Sequence, residues 1–184
     1  MKKKIVILAS ALAVAILAVL IVILSLSPAV KNCEKWIENS ANNLTVVKTV
    51  FEATDKGEKV FAYSESVEII EGNAEITKST SRLNPSYEFS TISESSFVES
   101  INRKDLLNFA FDKKYFKESS LKKDVFTATV IGDCLDEFLG SEALAIAGDA
   151  QATLTFENKT LKLAVITFSL QSGKQVTITV ECEY

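Results

Sequence analysis

The stretch AQATLTFENKTLKLAVITFSLQSGKQVTITVECEY, residues 150–184, decides the fold, because apolar and polar residues alternate along three successive runs. Turn-forming pairs at 158–159 and 172–173 separate these runs. In the last run every second side chain from Val176 to Cys182 is apolar, and the residues between them are polar. The pattern predicts three consecutive antiparallel strands with one dry side and one wet side.

The period of two also appears in the first half of the chain, between residues 45 and 100. Residues with β-branched or aromatic side chains are frequent there, and the triplet Asp55-Lys56-Gly57 supplies a tight turn. The many serines and threonines of 64–100 are typical of the solvent-facing side of an antiparallel sheet. We predict strands over 45–53, 58–70 and 74–83, a further strand that begins near Tyr87, and another over 125–131.

Two short helices are predicted from apolar residues at helical spacing. From Trp36 onward such residues indicate an amphipathic helix over 33–43. The second covers 133–139, where Asp133 is the expected N-terminal cap and Gly140 the expected stop.

The segment 101–123 interrupts the strand pattern. Its apolar cluster at 106–111 lies among basic residues that include Lys113, Lys114 and Lys117. One interpretation is a helical segment that docks on the sheet and leaves its lysines in water. The other is an interface with anionic lipid. Acidic residues in the same segment reduce its positive charge, which favours the docked segment.

The run IVILASALAVAILAVLIVILSL at 5–26 contains no charged residue and follows three lysines. At about 1.5 Å of rise per residue it is long enough to cross a bilayer core of about 30 Å as a helix. The lysines favour a cytoplasmic N-terminus. We predict a cytoplasmic basic region at 1–4, a transmembrane anchor at 5–26, a linker at 27–32 and an extracytoplasmic α+β domain at 33–184.

Two other interpretations of this run remain open. Small residues around Pro28 would permit removal of a signal peptide after Ala29, which would make the domain secreted, although the run exceeds the about 7–15 apolar residues of a typical signal peptide. A lipid-modified Cys33 is the third interpretation. Lys31 and Asn32 break the small-residue pattern that a lipoprotein signal needs before its cysteine.

The charge balance argues against several classes of function. The chain carries 20 Lys and Arg against 24 Asp and Glu, and it has no histidine. Without the lysines at 2–4, the outer part has a net charge of about −7. A nucleic-acid partner is not expected, since phosphate binding needs a basic face. The lack of histidine removes the commonest general base and the usual zinc ligand.

No motif in the sequence predicts catalysis. Two overlapping Ser-x-x-Lys matches at 119–123 correspond to one element of penicillin-recognising enzymes, but the companion Ser-Asp-Asn and Lys-Thr-Gly elements are missing. The acidic residues of 133–137 lack the ligand spacing and central glycine of a calcium loop. We therefore expect neither an enzyme nor a metal or other cofactor.

The three cysteines leave the redox state open. An exported domain can form disulfides, and Cys134 with Cys182 is the predicted pair, which leaves Cys33 free. The alternative is three reduced thiols, two of them buried as small apolar residues.

The order of these elements resembles that of the LolA/LppX-like lipoprotein carriers and lipid-binding lipoproteins. The shared order is a helix, a meander of long strands, a helical interruption, a second short helix and three final strands, over 33–184. The resemblance implies a curled antiparallel half-barrel closed by helices, with an apolar hollow that holds acyl chains. This chain lacks the lipid-attachment motif of that family and carries an apparent anchor, which suits a fixed receptor better than a shuttle.

The expected function is that of a membrane-anchored domain which holds a hydrophobic ligand, such as a lipid or a lipidated protein, in an apolar concavity of a curved antiparallel sheet. The predicted lining residues are Leu154, Val176, Ile178 and Val180. The alternative is a cell-envelope module that binds another protein and has no internal ligand. Such a module would use an exposed sheet edge or the segment 103–123.

Overall fold

The computed structural model describes residues 27–70, 73–84, 86, 88–140 and 145–184. The predicted cytoplasmic region and membrane anchor at 1–26 lie outside these residues. In the described part of the chain, no helix has both the length and the apolar character needed to span a membrane.

The described residues contain nine strands, all paired antiparallel in one sheet that does not close. The strands are β1 Val46–Asp55, β2 Glu58–Ile70, β3 Asn73–Leu83, β4 Phe89–Glu99, β5 Phe116–Lys122, β6 Val125–Val130, β7 Ile146–Glu157, β8 Thr160–Leu170 and β9 Gln175–Glu183. Their spatial order is β4-β3-β2-β1-β9-β8-β7-β6-β5. The chain thus builds two meanders, β1 to β4 and β5 to β9, which meet where β1 pairs with β9.

Two tight turns fix the register of their hairpins. Lys56 and Gly57 have φ values of 51° and 88°, and Asn158 and Lys159 have φ values of 51° and 63°. Positive φ at both central residues is the requirement of the type I′ turn, whose twist matches that of the flanking strands. The turns predicted at 55–57 and 158–159 are therefore confirmed.

Helix α1 spans Ser27–Asn43 and contains the helix predicted over 33–43. The predicted linker at 27–32 is wrong, because these residues are helical and lie within α1. Val30 continues the buried stripe of the helix.

The helical interpretation of 101–123 is also wrong. The structure has two short 3-10 helices, Arg103–Leu107 and Lys113–Tyr115, followed directly by β5. The side chains of Asn102 and Asp112 each accept a hydrogen bond from the backbone N–H two residues later. Asn102 and Asp112 are thus the N-terminal caps of these two 3-10 helices. We refer to 103–111 as the strap, because it crosses the sheet between β4 and β5.

Helix α2 is the short helix Leu135–Leu139. Gly140 ends it in the left-handed conformation at φ 59°, as predicted. Asp133 does not cap it. Asp133 lies instead inside a 3-10 turn, Gly132–Cys134, that leads into the helix, and no side chain caps the N-terminus of α2.

The hydrophobic core lies on one side of the sheet, which we call the covered face, and the opposite side is the outer face. Alternate residues of β6 to β9 point into the core, which confirms the dry and wet sides predicted for β9. Trp36 of α1 packs edge-on against Phe156, with ring centroids 5.1 Å apart. The largest fully buried side chains include Phe126, Phe138, Leu44, Leu135, Leu154, Leu161 and Ile166.

The predicted disulfide between Cys134 and Cys182 is not present, because all three cysteines are free thiols. The turn that holds Cys134 packs against Gly148, at the end of the sheet where β9 begins. Cys182 lies at the other end of β9, roughly 23 Å away along the strand at about 3.3 Å per residue. A disulfide requires Cα atoms within about 7 Å of each other.

Candidate functional site

The candidate site lies on the covered face at the junction of β1 and β9. Val180 of β9 is in register with Thr49 of β1. Ile178, two residues earlier, is in register with Phe51. Paired residues of neighbouring strands point to the same face, so these side chains form adjacent rows on the covered face.

A cavity of about 220 Å³ opens above these rows. The strap and α2 form its opposite wall. Five of the seven residues around the cavity are apolar, and Thr49 and Asn108 supply the polar groups. The full set is Thr49, Leu106, Asn108, Phe109, Leu139, Ile178 and Val180. Such a surface can hold an apolar group but has no charged side chain with which to perform acid–base chemistry.

Several contacts hold the strap over the sheet. Leu107 is buried, and the backbone N–H of Ala110 donates to the carbonyl of Phe138 at 3.0 Å. The rings of Phe109 and Phe138 lie 5.6 Å apart. Gly140 approaches Asn108 so closely that an added Cβ would lie 2.3 Å from the amide nitrogen of Asn108. The strap therefore has a defined position against α2.

A second cavity of about 390 Å³ lies between the strap and α1. It shares Asn108 and Phe109 with the first cavity, so these two residues form the wall between the two spaces. Its α1 side carries Ile37 and Ala41 together with Glu34 and Glu38, which makes it more polar than the first.

The structure separates the four predicted lining residues into two pairs. Ile178 and Val180 line the first cavity. Leu154 and Val176 do not, because they are 0% and 1% exposed and belong to the closed core. The alternating apolar residues on one face of a strand give the same sequence pattern whether they are covered or not. The sequence therefore does not show which of them lie in the closed core and which line a cavity.

The strap residues of the site were not among the predicted lining residues. Their signal was the apolar cluster 106–111, which the sequence analysis assigned to a docked segment. Leu106 and Phe109 belong to that cluster and line the cavity. Thr49 and Leu139 carry no sequence signal, because their position depends on strand pairing and on the placement of α2.

A polar network on β2 and β3 lies beside the apolar rows of β1 and β9. Glu65 of β2 is in register with Thr49 on one side and with Lys78 of β3 on the other. The hydroxyl of Tyr63 donates to Oε2 of Glu65 at 2.6 Å, and Nζ of Lys78 lies 2.9 Å from the same oxygen. The covered face thus changes from apolar at β9 to charged at β3.

The network alters the pKa of each member. Partial burial raises the pKa of Glu65, but hydrogen bonds from Tyr63 and Lys78 outweigh it, so the net pKa is lowered. The hydrogen bond with Glu65 raises the pKa of Lys78. Burial, followed by the hydrogen bond to Glu65, raises the pKa of Tyr63.

A third cavity, of about 500 Å³, lies at the β7 start beside Gly132 and Gly148. It is polar, and its walls include Lys117, Asp133 and Asp149. Lys117 forms an ion pair with Asp149 at 2.5 Å. Across the described residues, no group of three Cys, Asp or Glu side chains is arranged to hold a metal ion.

The predicted interface lysines do not form one basic surface. Lys114 pairs with Asp112 at 3.2 Å, and Lys117 pairs with Asp149. Lys113 lies in the same 3-10 helix as Lys114. Acidic partners therefore neutralise much of the charge of this segment.

Comparison with known proteins gives no family for the chain. No family model matches it, and no curated protein matches it by sequence.

Proposed function

We propose that the chain is a membrane-anchored extracytoplasmic protein that holds a hydrophobic ligand, the acyl chain of a lipid or of a lipidated protein, under the strap. The observation that carries this proposal is the apolar cavity between Ile178 and Val180 on the sheet and Leu106 and Phe109 on the strap. A concave, mainly apolar surface with a few polar groups is typical of a ligand site.

The volume supports an elongated ligand. The cavities on the two sides of Phe109 have a combined volume of roughly 600 Å³, within the range of about 300–1,000 Å³ that is typical of small-molecule sites. A rotation of the Phe109 ring would join them. We propose that an acyl chain enters from the β1–β9 side and displaces this ring.

The resemblance to lipoprotein carriers also supports this proposal. An open antiparallel sheet with helices on one face is compatible with the half-barrel that the resemblance implies. In this proposal the sheet curls around the acyl chain, the anchor at 5–26 fixes the domain to the outer side of the bilayer, and no chemical step is catalysed.

Photo-crosslinking tests the proposal with the full chain reconstituted in lipid nanodiscs. A fatty acid that carries a photoreactive group near the end of its chain is added, and the labelled peptides are identified by mass spectrometry. Labelling is expected in the strap and in β9. Labelling confined to the outer face, or none above background, would contradict the proposal.

Two variants make the test specific. Ile178→Trp fills the cavity and is expected to reduce labelling at least several-fold. Val125→Trp is the matched control, because Val125 is an exposed apolar residue that does not line the cavity. Ile178→Glu, which puts a charge in the apolar cavity, keeps the test valid if the tryptophan variant does not fold.

The alternative function, a protein-interaction module, is favoured by a different observation. One edge strand of the sheet, β4, is exposed along its whole length. This edge is remote from the cavity in the strand order, so the two functions do not exclude each other.

A further inference from the structure

A further cavity, of about 410 Å³, lies between α1 and the turn that joins β7 to β8. It opens on the other flank of α1 from the strap, and it shares no lining residue with the two cavities beside the strap. We call it the α1 pocket. Its lining residues are Asn32, Lys35, Trp36, Asn39, Asn158 and Lys159.

All six side chains that line the α1 pocket carry N–H groups, and none is acidic. Two are lysine ammonium groups, three are asparagine amides and one is an indole. Five other lysines form ion pairs with acidic side chains, but no described residue forms an ion pair with Lys35 or Lys159. A pocket of N–H donors with two such ammonium groups is complementary to a negatively charged oxygen ligand.

Two contacts hold the walls of the α1 pocket in a fixed relation. Nδ2 of Asn39 on α1 donates to the carbonyl of Lys159 in the turn at 3.3 Å. Trp36 packs edge-on against Phe156, near the end of β7. The donors of the two walls are therefore positioned before a ligand arrives, which lowers the ordering cost of binding.

Lys159 occupies a turn position that glycine usually fills. It is the second central residue of the β7–β8 turn and has φ 63°, whereas Gly57 occupies the corresponding position of the β1–β2 turn. A lysine is strained in this left-handed conformation and a glycine is not. The chain thus carries a long cationic side chain at the α1 pocket, although glycine would suit the turn better.

We propose that the α1 pocket binds a phosphate group. Lys35 and Lys159 supply positive charge from opposite walls, and the amides of Asn32 and Asn158 donate to the phosphate oxygens. Charge-assisted hydrogen bonds of this kind are about twice as strong as neutral ones. The same chemistry would hold a phospholipid headgroup or a free phosphate ester.

The position of the α1 pocket favours the lipid headgroup, and this choice rests on the proposed membrane anchor at 5–26. The anchor would end one residue before α1 begins at Ser27. At about 1.5 Å of rise per residue, Asn32 lies roughly 8 Å along the helix axis from Ser27. The polar layer on each side of a bilayer is roughly 5–8 Å thick. Headgroup phosphates are therefore within reach of the near end of the pocket.

The fluorescence of Trp36 tests the proposal, because Trp36 is the only tryptophan of the chain and lines the pocket. The full chain in a maltoside detergent, which contains no phosphate, is titrated with inorganic phosphate, glycerol 3-phosphate and short-chain phosphatidic acid. A saturable change in emission is expected with each, at the lowest concentration for phosphatidic acid. The same change with sodium chloride at matched ionic strength, or no saturation with any phosphate, would overturn the proposal.

A variant of the turn separates binding from folding. Lys159→Gly removes an ammonium group and also relieves the strained φ, so the variant should be at least as stable in urea as the wild-type chain. It is expected to bind phosphatidic acid about tenfold more weakly. Lys56→Asn is the matched control, because it removes a lysine from the other type I′ turn and introduces a residue that this position prefers. Equal binding by the two variants would contradict the proposal.

A second pair of variants lies on α1. Lys35→Gln should weaken binding, whereas Lys31→Gln should not, because Lys31 does not line the pocket. Lys31 is one turn nearer the proposed anchor. A general attraction of the helix to anionic lipid would therefore weaken binding in both variants, and that result would overturn the proposal.

The phosphate titrations and the tests of the proposed function can fail separately. Reconstitution in nanodiscs shows whether the anchor holds the chain in lipid, and photo-crosslinking reports on the strap. A chain that elutes apart from the nanodiscs would contradict the anchor, but the titrations with free phosphates would still decide the pocket. Saturation by the free phosphates without phosphatidic acid would overturn the lipid source and support a free phosphate ester.

Discussion

Oγ of Ser40 accepts a hydrogen bond from the backbone N–H of Leu161 at 2.7 Å, and this bond joins α1 to the start of β8. Ser40 is completely buried and also donates to the carbonyl of Trp36 at 2.6 Å. The hydroxyl of Tyr184 donates to the carbonyl of Leu161 at 2.6 Å. The backbone N–H and carbonyl of Leu161 are thus both hydrogen-bonded to side chains. These bonds lie where α1 covers the sheet.

Replacing Ser40 by alanine is expected to destabilise the protein. The variant leaves the N–H of Leu161 without its acceptor in a buried position, which costs about 1–3 kcal/mol. The free energy of unfolding in urea measures the effect. Asn39→Ala is the control, because Asn39 donates to Lys159 at an exposed position. An equal loss of unfolding free energy in the two variants would show that the buried hydrogen bond contributes no more to stability than the exposed one.

The Tyr63–Glu65–Lys78 network predicts a pH dependence. The folded-state pKa of Glu65 is lowered, so its ionised form stabilises the fold above its unfolded pKa, and the effect is lost as the pH falls through the folded value. Glu65→Gln should therefore lower the urea midpoint at neutral pH. The difference from wild type should shrink below the ordinary glutamate pKa of 4.5. A difference that persists undiminished in acid would contradict this account.

The three thiols are expected to differ in reactivity. Burial raises the pKa of Cys182 to about 12 and that of Cys33 even further, which suppresses the reactive thiolate of both. Cys134 is only half-buried. A chromogenic thiol reagent should modify one cysteine in the native protein and three after denaturation without reductant. Cys134→Ser should abolish the native reaction, whereas a single reactive thiol after denaturation would indicate a disulfide.

The contact between Gly140 and Asn108 predicts that the strap depends on a glycine. Gly140→Ala adds a Cβ that collides with the amide of Asn108, and it also costs about 1–2 kcal/mol for the left-handed conformation. Gly57→Ala is the control, since Gly57 has φ 88° and no atom would lie within 4 Å of the new Cβ. We expect the larger loss of stability at Gly140. The second substitution Asn108→Ala should restore part of it.

Much of the sheet can be predicted from the sequence. Alternation along β9 and the turn pairs at 55–57 and 158–159 predict strands and hairpins that the structure confirms. These signals are local, because they depend on residues within one strand or one turn. The helical interpretation of 101–123 failed because the last part of this segment is strand β5, which pairs with β6. That pairing depends on a neighbouring strand, so no signal within 101–123 predicts it.

The candidate site was only partly predictable. The dry side of β9 contains both core and cavity residues, and the sequence cannot separate Val176 from Ile178 without the position of the strap. The network of Tyr63, Glu65 and Lys78 has no local signature either. It depends on the register of β2 and β3, which brings side chains together across a hairpin.

The pairing of β1 with β9 has a consequence for biosynthesis. Val46 and Glu183 are neighbours across the middle of the sheet although they come from opposite ends of the domain. The β1–β4 meander can form early during synthesis. The edge of β1 that pairs with β9 stays unpaired until translation has produced β9. Until then the partial sheet has two unpaired edge strands, β1 and β4. It needs either rapid completion or a chaperone to avoid aggregation.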